Sequence, residues 1–213
     1  MDAVPVDPML DQLRRVCGQG VTTLPATGAG LSVMGRDKQF SMLTATDPTS
    51  ERLEELQFVL GEGPCVDAGL TRRPVLVPDL GADALSRWPA YAAAVLQAGI
   101  GAVFAFPLQV GATQLGVMDF FRRNPGQLST AELSRAYALA DDAVGILLDS
   151  AADTSLTGPA ELFQAQGMVM VQIDGTLTEA MSRIRAHAYA ENRRLIDVVN
   201  DIVHRKLKFD RYE

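Results

Sequence analysis

The chain has 213 residues, 47% of them hydrophobic and 21% charged, with a net charge of −7. This is the balance of a folded globular protein with room for one substantial core and a smaller attachment, so two domains are expected. The composition excludes an intrinsically disordered chain, and the negative charge excludes indiscriminate nucleic-acid binding. Cys17 and Cys65 are the only cysteines, and neither stands at metal-ligand spacing from another Cys or a His. No disulfide framework, metal site or cofactor is therefore expected, and the compartment should be reducing.

The first ten residues are acidic and broken by Pro5 and Pro8, unlike the basic and apolar start of a secretion signal, which points to a cytoplasmic protein. Residues 7–18 follow with Met9, Leu10, Leu13 and Val16 at helical spacing. Two strand-like runs, Gly28–Met34 and 39–46, are separated by a polar turn at 35–38, which is hairpin spacing. A helix over Pro48–Leu60 is announced by Asp47 and Pro48 and stopped by Gly61. The short apolar run 75–80 reads as a buried strand, and 88–97 as a helix ended by Gly99.

No charge occurs from 88 to 118, but Pro107, Gln97, Gln109 and several glycines break the run, so a membrane span is rejected. A helix followed by two buried strands, Ala102–Val110 and 113–121, joined tightly at Gly111, fits better. A long helix over 129–150 starts at Ser129 with Glu132 three positions on, the spacing of a capping box. Its stripe of Leu133, Ala136, Tyr137, Ala140, Val144, Leu147 and Leu148 suits a homodimer contact. The fold class is α+β, a mostly antiparallel sheet sandwiched by helices. Residues 151–159, small and polar and ending in Gly-Pro, form the expected linker.

Three helices are expected beyond it, over 160–172, from Thr176 with Glu179 as its capping-box partner, and from Leu195 to Leu207. Charge is unevenly placed: residues 183–211 hold 8 basic side chains against 4 acidic ones, a local +4 on an acidic chain. Arg183 and His187 share one helix face, with Arg185, Tyr189, Arg193 and Arg194 close by. Cations of this kind can hold phosphates while Tyr189 stacks on an unpaired base, or Tyr189 can be half-buried between helices. Charges at 205, 206 and 208 either extend that track or complement a helix C-terminus.

The motifs GEGPC at 61–65, RRPVLVPDL at 72–80, and FPLQV followed by LGVMDFF resemble the GAF family of small-molecule sensor domains, over about 20–150. The resemblance implies a central antiparallel sheet with a dimerising helix layer on one side and a ligand cavity on the other. Trp88, Phe104, Phe106 and Asp119 are then the candidate ligand-binding residues, with Asp119 facing either a cavity or outward. Cys65 reads as a small buried hydrophobe, with a redox or chromophore-attachment role as the sharper alternative. Gly61 and Gly63 read as turn residues.

The tail is similar to the ANTAR family, the RNA-binding output domain of antitermination regulators. The residues that carry this are QAQGMVM at 164–170, Glu179 and Ala180, IRAHAYA at 184–190, Arg193 to Leu195, and DVVNDIV at 197–203, although the family often has Lys where this chain has Gln166. Together the two resemblances imply a GAF-like domain over 1–150 and an ANTAR-like domain over 160–213. They imply a protein that binds stem-loop leader transcripts through Arg183, Arg185, His187, Tyr189, Arg193 and Arg194 under control of a sensor. A sensor and oligomerisation module whose tail recruits a protein partner is the competing class. An enzyme is not expected, since no nucleophile elbow, HExxH or comparable constellation is present.

Overall fold

The computed structural model describes residues 7–34, 40–151, 160–191 and 193–210. The turn expected at 35–38 and the linker expected at 151–159, except for the helical Ala151, lie outside the described residues.

Five strands form one antiparallel sheet: β1 (Gly28–Met34), β2 (Phe40–Ala45), β3 (Val75–Val77), β4 (Ala102–Val110) and β5 (Thr113–Arg122), in the order β2-β1-β5-β4-β3. Because successive side chains on a strand point to opposite faces, the sheet divides its residues into two cores. One face carries Leu31, Val33, Phe104, Phe106, Leu108, Met118 and Phe120. These pack under α1 (Pro8–Thr23) and α6 (Thr130–Ala151), through Leu13, Val16, Ala136, Leu139, Ala143 and Leu147. The opposite face carries Val103, Ala105, Val117 and Phe121 beneath four helices, α2 (Pro48–Leu60), α3 (Pro64–Thr71), α4 (Ala82–Arg87) and α5 (Pro89–Gln97).

Two elements were not expected. α3 begins inside GEGPC, where the glycines suggest only a turn, and α4 is six residues long. Short helices give too few turns for a periodic signal to stand out. Helix α1 also runs past its expected end at Gly18. Gly20 lies inside the helix, and a Cβ there would fall 2.2 Å from the Phe120 ring, so this glycine serves helix-sheet approach rather than termination.

The start of α6 matches its sequence signature, with Ser129 N–H donating to Glu132 at 2.6 Å and Glu132 N–H donating to Ser129 Oγ at 3.2 Å. Arg122 anchors the same point, donating to Glu132 at 2.8 Å and to the Leu24 carbonyl at 2.6 Å.

Three further helices, α7 (Ala160–Ile173), α8 (Leu177–Ala190) and α9 (Leu195–Val203), share a core of their own around Ala165, Val169, Ile184, Val198 and Ile202. α8 opens with the full Thr176–Glu179 capping box. α9 stops earlier than expected, at Val203, and Arg205 has a φ of 60°. Gln166 is buried and donates to the Leu177 carbonyl at 2.8 Å, so it holds α7 to the start of α8. Among the described residues no helix is long and apolar enough to cross a membrane.

Asp47 is the hinge of β2 and α2. Its Oδ1 accepts from the N–H groups of Thr49 and Ser50, and its Oδ2 accepts from the hydroxyls of Ser50 and Thr46. Asp47→Ala removes all four bonds and should cost about 1–2 kcal/mol, measured as a lowered urea midpoint with an unchanged slope.

Candidate functional site

The site sits between α2, α3 and the centre of the sheet, and the GEGPC segment builds it residue by residue. Gly61 ends α2 with a φ of 67°. Glu62 accepts from the N–H groups of Ala90 and Tyr91 at 2.8 and 2.9 Å, capping the start of α5. Gly63 has a φ of 134°, and a Cβ there would lie 2.5 Å from the Gln57 side-chain oxygen, so both conformation and space require glycine. Pro64 starts α3, and the N–H of Cys65 donates to Gln57 Oε1 at 2.8 Å.

Gln57 in turn donates through Nε2 to Asp119 Oδ2 at 2.7 Å. One amide therefore joins α2, the start of α3 and β5. Asp119 pairs with Gly30 on one side and Ala105 on the other, two small residues that leave its face of the sheet open to α2. Glu54, one turn before Gln57, lies directly over Gly30, where any Cβ would fall 2.4 Å from its side chain. Ser32 donates to Glu54 Oε2 at 2.8 Å. Ser32, Glu54, Gln57, Cys65, Tyr91 and Asp119 are all fully buried.

Burial sets the protonation of this cluster. Desolvation raises Glu54 well above the usual carboxylate range, and the neighbouring Asp119 charge raises it further. Asp119 is also pushed up by burial, to about 6, although bonds from Gln57, Glu54 and Cys65 restrain it. Burial thus favours the protonated form of both acids, which lets two carboxyl groups share a closed core. Cys65 is driven well up by burial and by both carboxyl groups, and the Tyr91 hydroxyl likewise.

The four candidate ligand residues do not converge. Asp119 and Trp88 lie on the α2–α5 face, whereas Phe104 and Phe106 lie on the other, packed toward α1 and α6, Phe106 edge-on to Phe120 and Tyr137. The correction follows from strand alternation: Phe104 pairs with Phe120 and Phe106 with Met118, all on the face opposite Asp119. Trp88 is buried beneath the Arg87 guanidinium, which lies 4.4 Å from its ring. The space bordered by the Trp88 helix, β4 and β5 is lined by packed side chains with the polar cluster at its centre. Cys65 is buried as expected, but among polar groups rather than as a plain hydrophobe.

Sequence reasoning missed Glu54, Gln57, Ser32 and Tyr91. Glycine inside a strand is a signal of close approach, and Gly30 could have pointed to a bulky partner above β1.

On the tail, Arg183 and His187 share one face of α8, Arg185 and Tyr189 lie on roughly the opposite face, and Arg193 and Arg194 follow in the connection to α9. Tyr189 is 57% exposed, and the His187 ring packs edge-on to Phe209. Arg193 pairs with Asp201 at 2.5 Å. Arg194 reaches across to α2, pairing with Glu51 and, at 3.3 Å, with Glu55. Tyr189, Arg193 and Arg194 border a groove of about 420 Å³ whose opposite wall is α2 and α5, including Pro48, Glu51, Leu56, Val59 and Ala94. A smaller cavity of about 230 Å³ lies beside it, between Phe40, Met42 and Phe58 of the sheet domain and Leu162, Ile196 and Val199 of the tail.

A family model described as GAF domain matches residues 10–147. Among solved structures, a GAF domain from a phosphoenolpyruvate-protein phosphotransferase of Coxiella burnetii is similar, at 17% identity and TM-score 0.56, covering 72% of this chain and 89% of that one. The GAF domain of an Acinetobacter phosphoenolpyruvate-protein phosphotransferase gives 13% and 0.54, with coverage of 71% and 89%. The free methionine-R-sulfoxide reductase of Neisseria meningitidis, solved in complex with its substrate, gives 15% and 0.52, with coverage of 68% and 81%. At such identities the likeness is one of fold. No curated protein matches the sequence.

A raised acid stabilises the fold only while it is protonated. Its contribution is complete below the unfolded value and is lost as pH rises through the folded one. For Asp119 that window is roughly pH 4 to 6, and Glu54 extends it upward. Thermal stability in chelator-containing buffer should therefore decline from pH 5 to pH 8. Glu54→Gln, whose amide can still accept from Ser32 and donate to Asp119, should flatten that decline. An equally steep decline in the variant would show that the pair is not its source.

Proposed function

This chain belongs to the GAF domain family, and from that premise we propose that it is a sensor-controlled, RNA-binding regulator of transcription antitermination. The GAF domain is the sensing module. The helical tail, which resembles the ANTAR family, is the output that binds stem-loops in leader transcripts. Holding such a stem-loop would keep the RNA from forming its terminator and let transcription continue.

The observation that carries this reading is the grouping of Tyr189, Arg193 and Arg194 along one groove, beside a helix that also bears Arg183, Arg185 and His187, with Arg194 ion-paired to the sensor through Glu51 and Glu55. A basic and aromatic surface suits RNA loops, whose unpaired bases stack on rings while cations hold phosphates. Phosphates would compete with the two carboxylates for Arg194, which gives the sensor a direct hold on the output.

A homodimer would present two tails to paired loops and gain effective concentration without new contacts. α6 supports this proposal. After its inner face is buried against α1 and the sheet, Tyr137 and Leu148 remain 47% and 44% exposed, with Val144 between them at helical spacing. We place the protein in the cytoplasm, where such transcripts are made, and assign it no catalytic role.

Mobility shift with hairpin-containing leader RNA tests the reading. Tyr189→Ala should cost about 1–3 kcal/mol of binding with little change in salt slope. Arg183→Ala should weaken all loop sequences alike and reduce the slope by about 0.7 to 0.9. Glu51→Gln with Glu55→Gln should tighten binding. Wild-type protein that binds no structured RNA at low salt would sink the assignment.

Light scattering tests the dimer separately. The intact chain should have twice its monomer mass, and Tyr137→Asp with Leu148→Asp should halve it. A wild-type monomer would remove the paired-loop scheme.

A further inference from the structure

We propose that Glu54, Cys65 and Asp119 form a binding site for one divalent transition-metal ion of the Zn²⁺ class inside the sensor domain. One donor atom from each, a carboxylate oxygen, the thiol sulfur and a second carboxylate oxygen, lies within 4.8 Å of the other two. The three come from different elements, α2, α3 and β5, so the fold rather than local spacing assembles them.

Several features point to an ion. Among the described residues, Glu54 Oε1 and Asp119 Oδ1 are buried and accept no bond from a nitrogen or hydroxyl donor, and the Tyr91 hydroxyl is fully buried without a hydrogen-bond partner. Tyr91 feels the charges of Asp119, Glu54 and Cys65, which places its hydroxyl beside the same three groups. The remaining oxygen of each carboxyl group is held from behind, Asp119 Oδ2 by Gln57 and Glu54 Oε2 by Ser32. Gln57 also fixes the backbone of Cys65. Ligands positioned by outer partners in this way are the usual surroundings of a metal site.

The donor set selects the ion. Calcium and magnesium take six or more oxygens, which this closed site does not offer, and neither favours sulfur. A thiolate with two carboxylates suits a borderline ion, for which metal-oxygen and metal-sulfur bonds of roughly 2.0 to 2.3 Å require only a small inward movement of the donors. Complete burial of all three donors leaves an organic ligand no entry without rearranging α2 or α3. On binding, the ion displaces the Cys65 thiol proton and any proton held by the two carboxyl groups, all released to solvent, and two positive charges meet three negative ones. The proposal concerns the sensor domain alone, and its readouts are independent of RNA binding by the tail.

The test uses the full chain produced in cobalt-supplemented minimal medium and purified anaerobically. About one Co²⁺ per chain should be retained, with a thiolate-to-cobalt charge-transfer absorption. Cys65→Ser should abolish that absorption, Asp119→Asn should lower cobalt content several-fold, and Cys17→Ser should change neither, in each case with circular dichroism as a folding control. X-ray absorption of the wild-type protein, which needs no variant, should give one sulfur neighbour and no imidazole scattering. Absence of retained cobalt, a charge-transfer absorption that survives Cys65→Ser, or an imidazole-bound ion would each overturn the site.

Discussion

The Gln57 side chain is the constraint around which the sensor domain is arranged. A single buried amide spends its oxygen on the Cys65 N–H and one hydrogen on Asp119, tying two helices to the central strand. A buried polar group left without its partner costs on the order of 1–3 kcal/mol, so none of the three elements can shift alone. Gly63 must lack a side chain to admit Gln57, and Gly30 must lack one to admit Glu54. Conformation, space and hydrogen bonding therefore converge on the same few positions.

The two faces of the sheet obey different rules. Toward α1 and α6 the packing is aliphatic and aromatic throughout, and its requirement is volume. Toward α2 to α5 an apolar rim encloses a polar centre in which Gln57 and Ser32 hold one oxygen of each carboxyl group while Glu54 Oε1, Asp119 Oδ1 and the Tyr91 hydroxyl find no partner among the described residues. An all-hydrophobic substitute there would be cheaper to bury, so the polar centre is better explained by what it does than by what it stabilises.

Much of the architecture was legible in the chain. Alternation in GAGLSVM and in the two late strands, the Asp47–Pro48 start, and the Ser129–Glu132 and Thr176–Glu179 boxes each name a local interaction, and local interactions are what a sequence displays. α3 and α4 were hidden because they are short, and α3 opens on Gly63, which reads as a turn residue. The polar cluster was hidden for a different reason. Glu54 and Gln57 sit three apart in ERLEELQFVL, a spacing that equally describes the solvated side of an amphipathic helix. Only the pairing of β1 with β5, which sets Gly30 beside Asp119, turns that side inward. Phe104 and Phe106 drew notice as aromatics, yet their even spacing placed them together on the wrong face.

α2 has two jobs because a helix turns by about 100° per residue. Glu54 and Gln57 point into the sheet, while Glu51 and Glu55, about a third of a turn round the helix, reach Arg194. Between neighbours 54 and 55 lies nothing but backbone. The helix is thus a crankshaft, since a roll that loosens the grip on Asp119 must also swing the carboxylates that hold the tail. The buried centre and the outer contact are adjacent sides of one rigid rod.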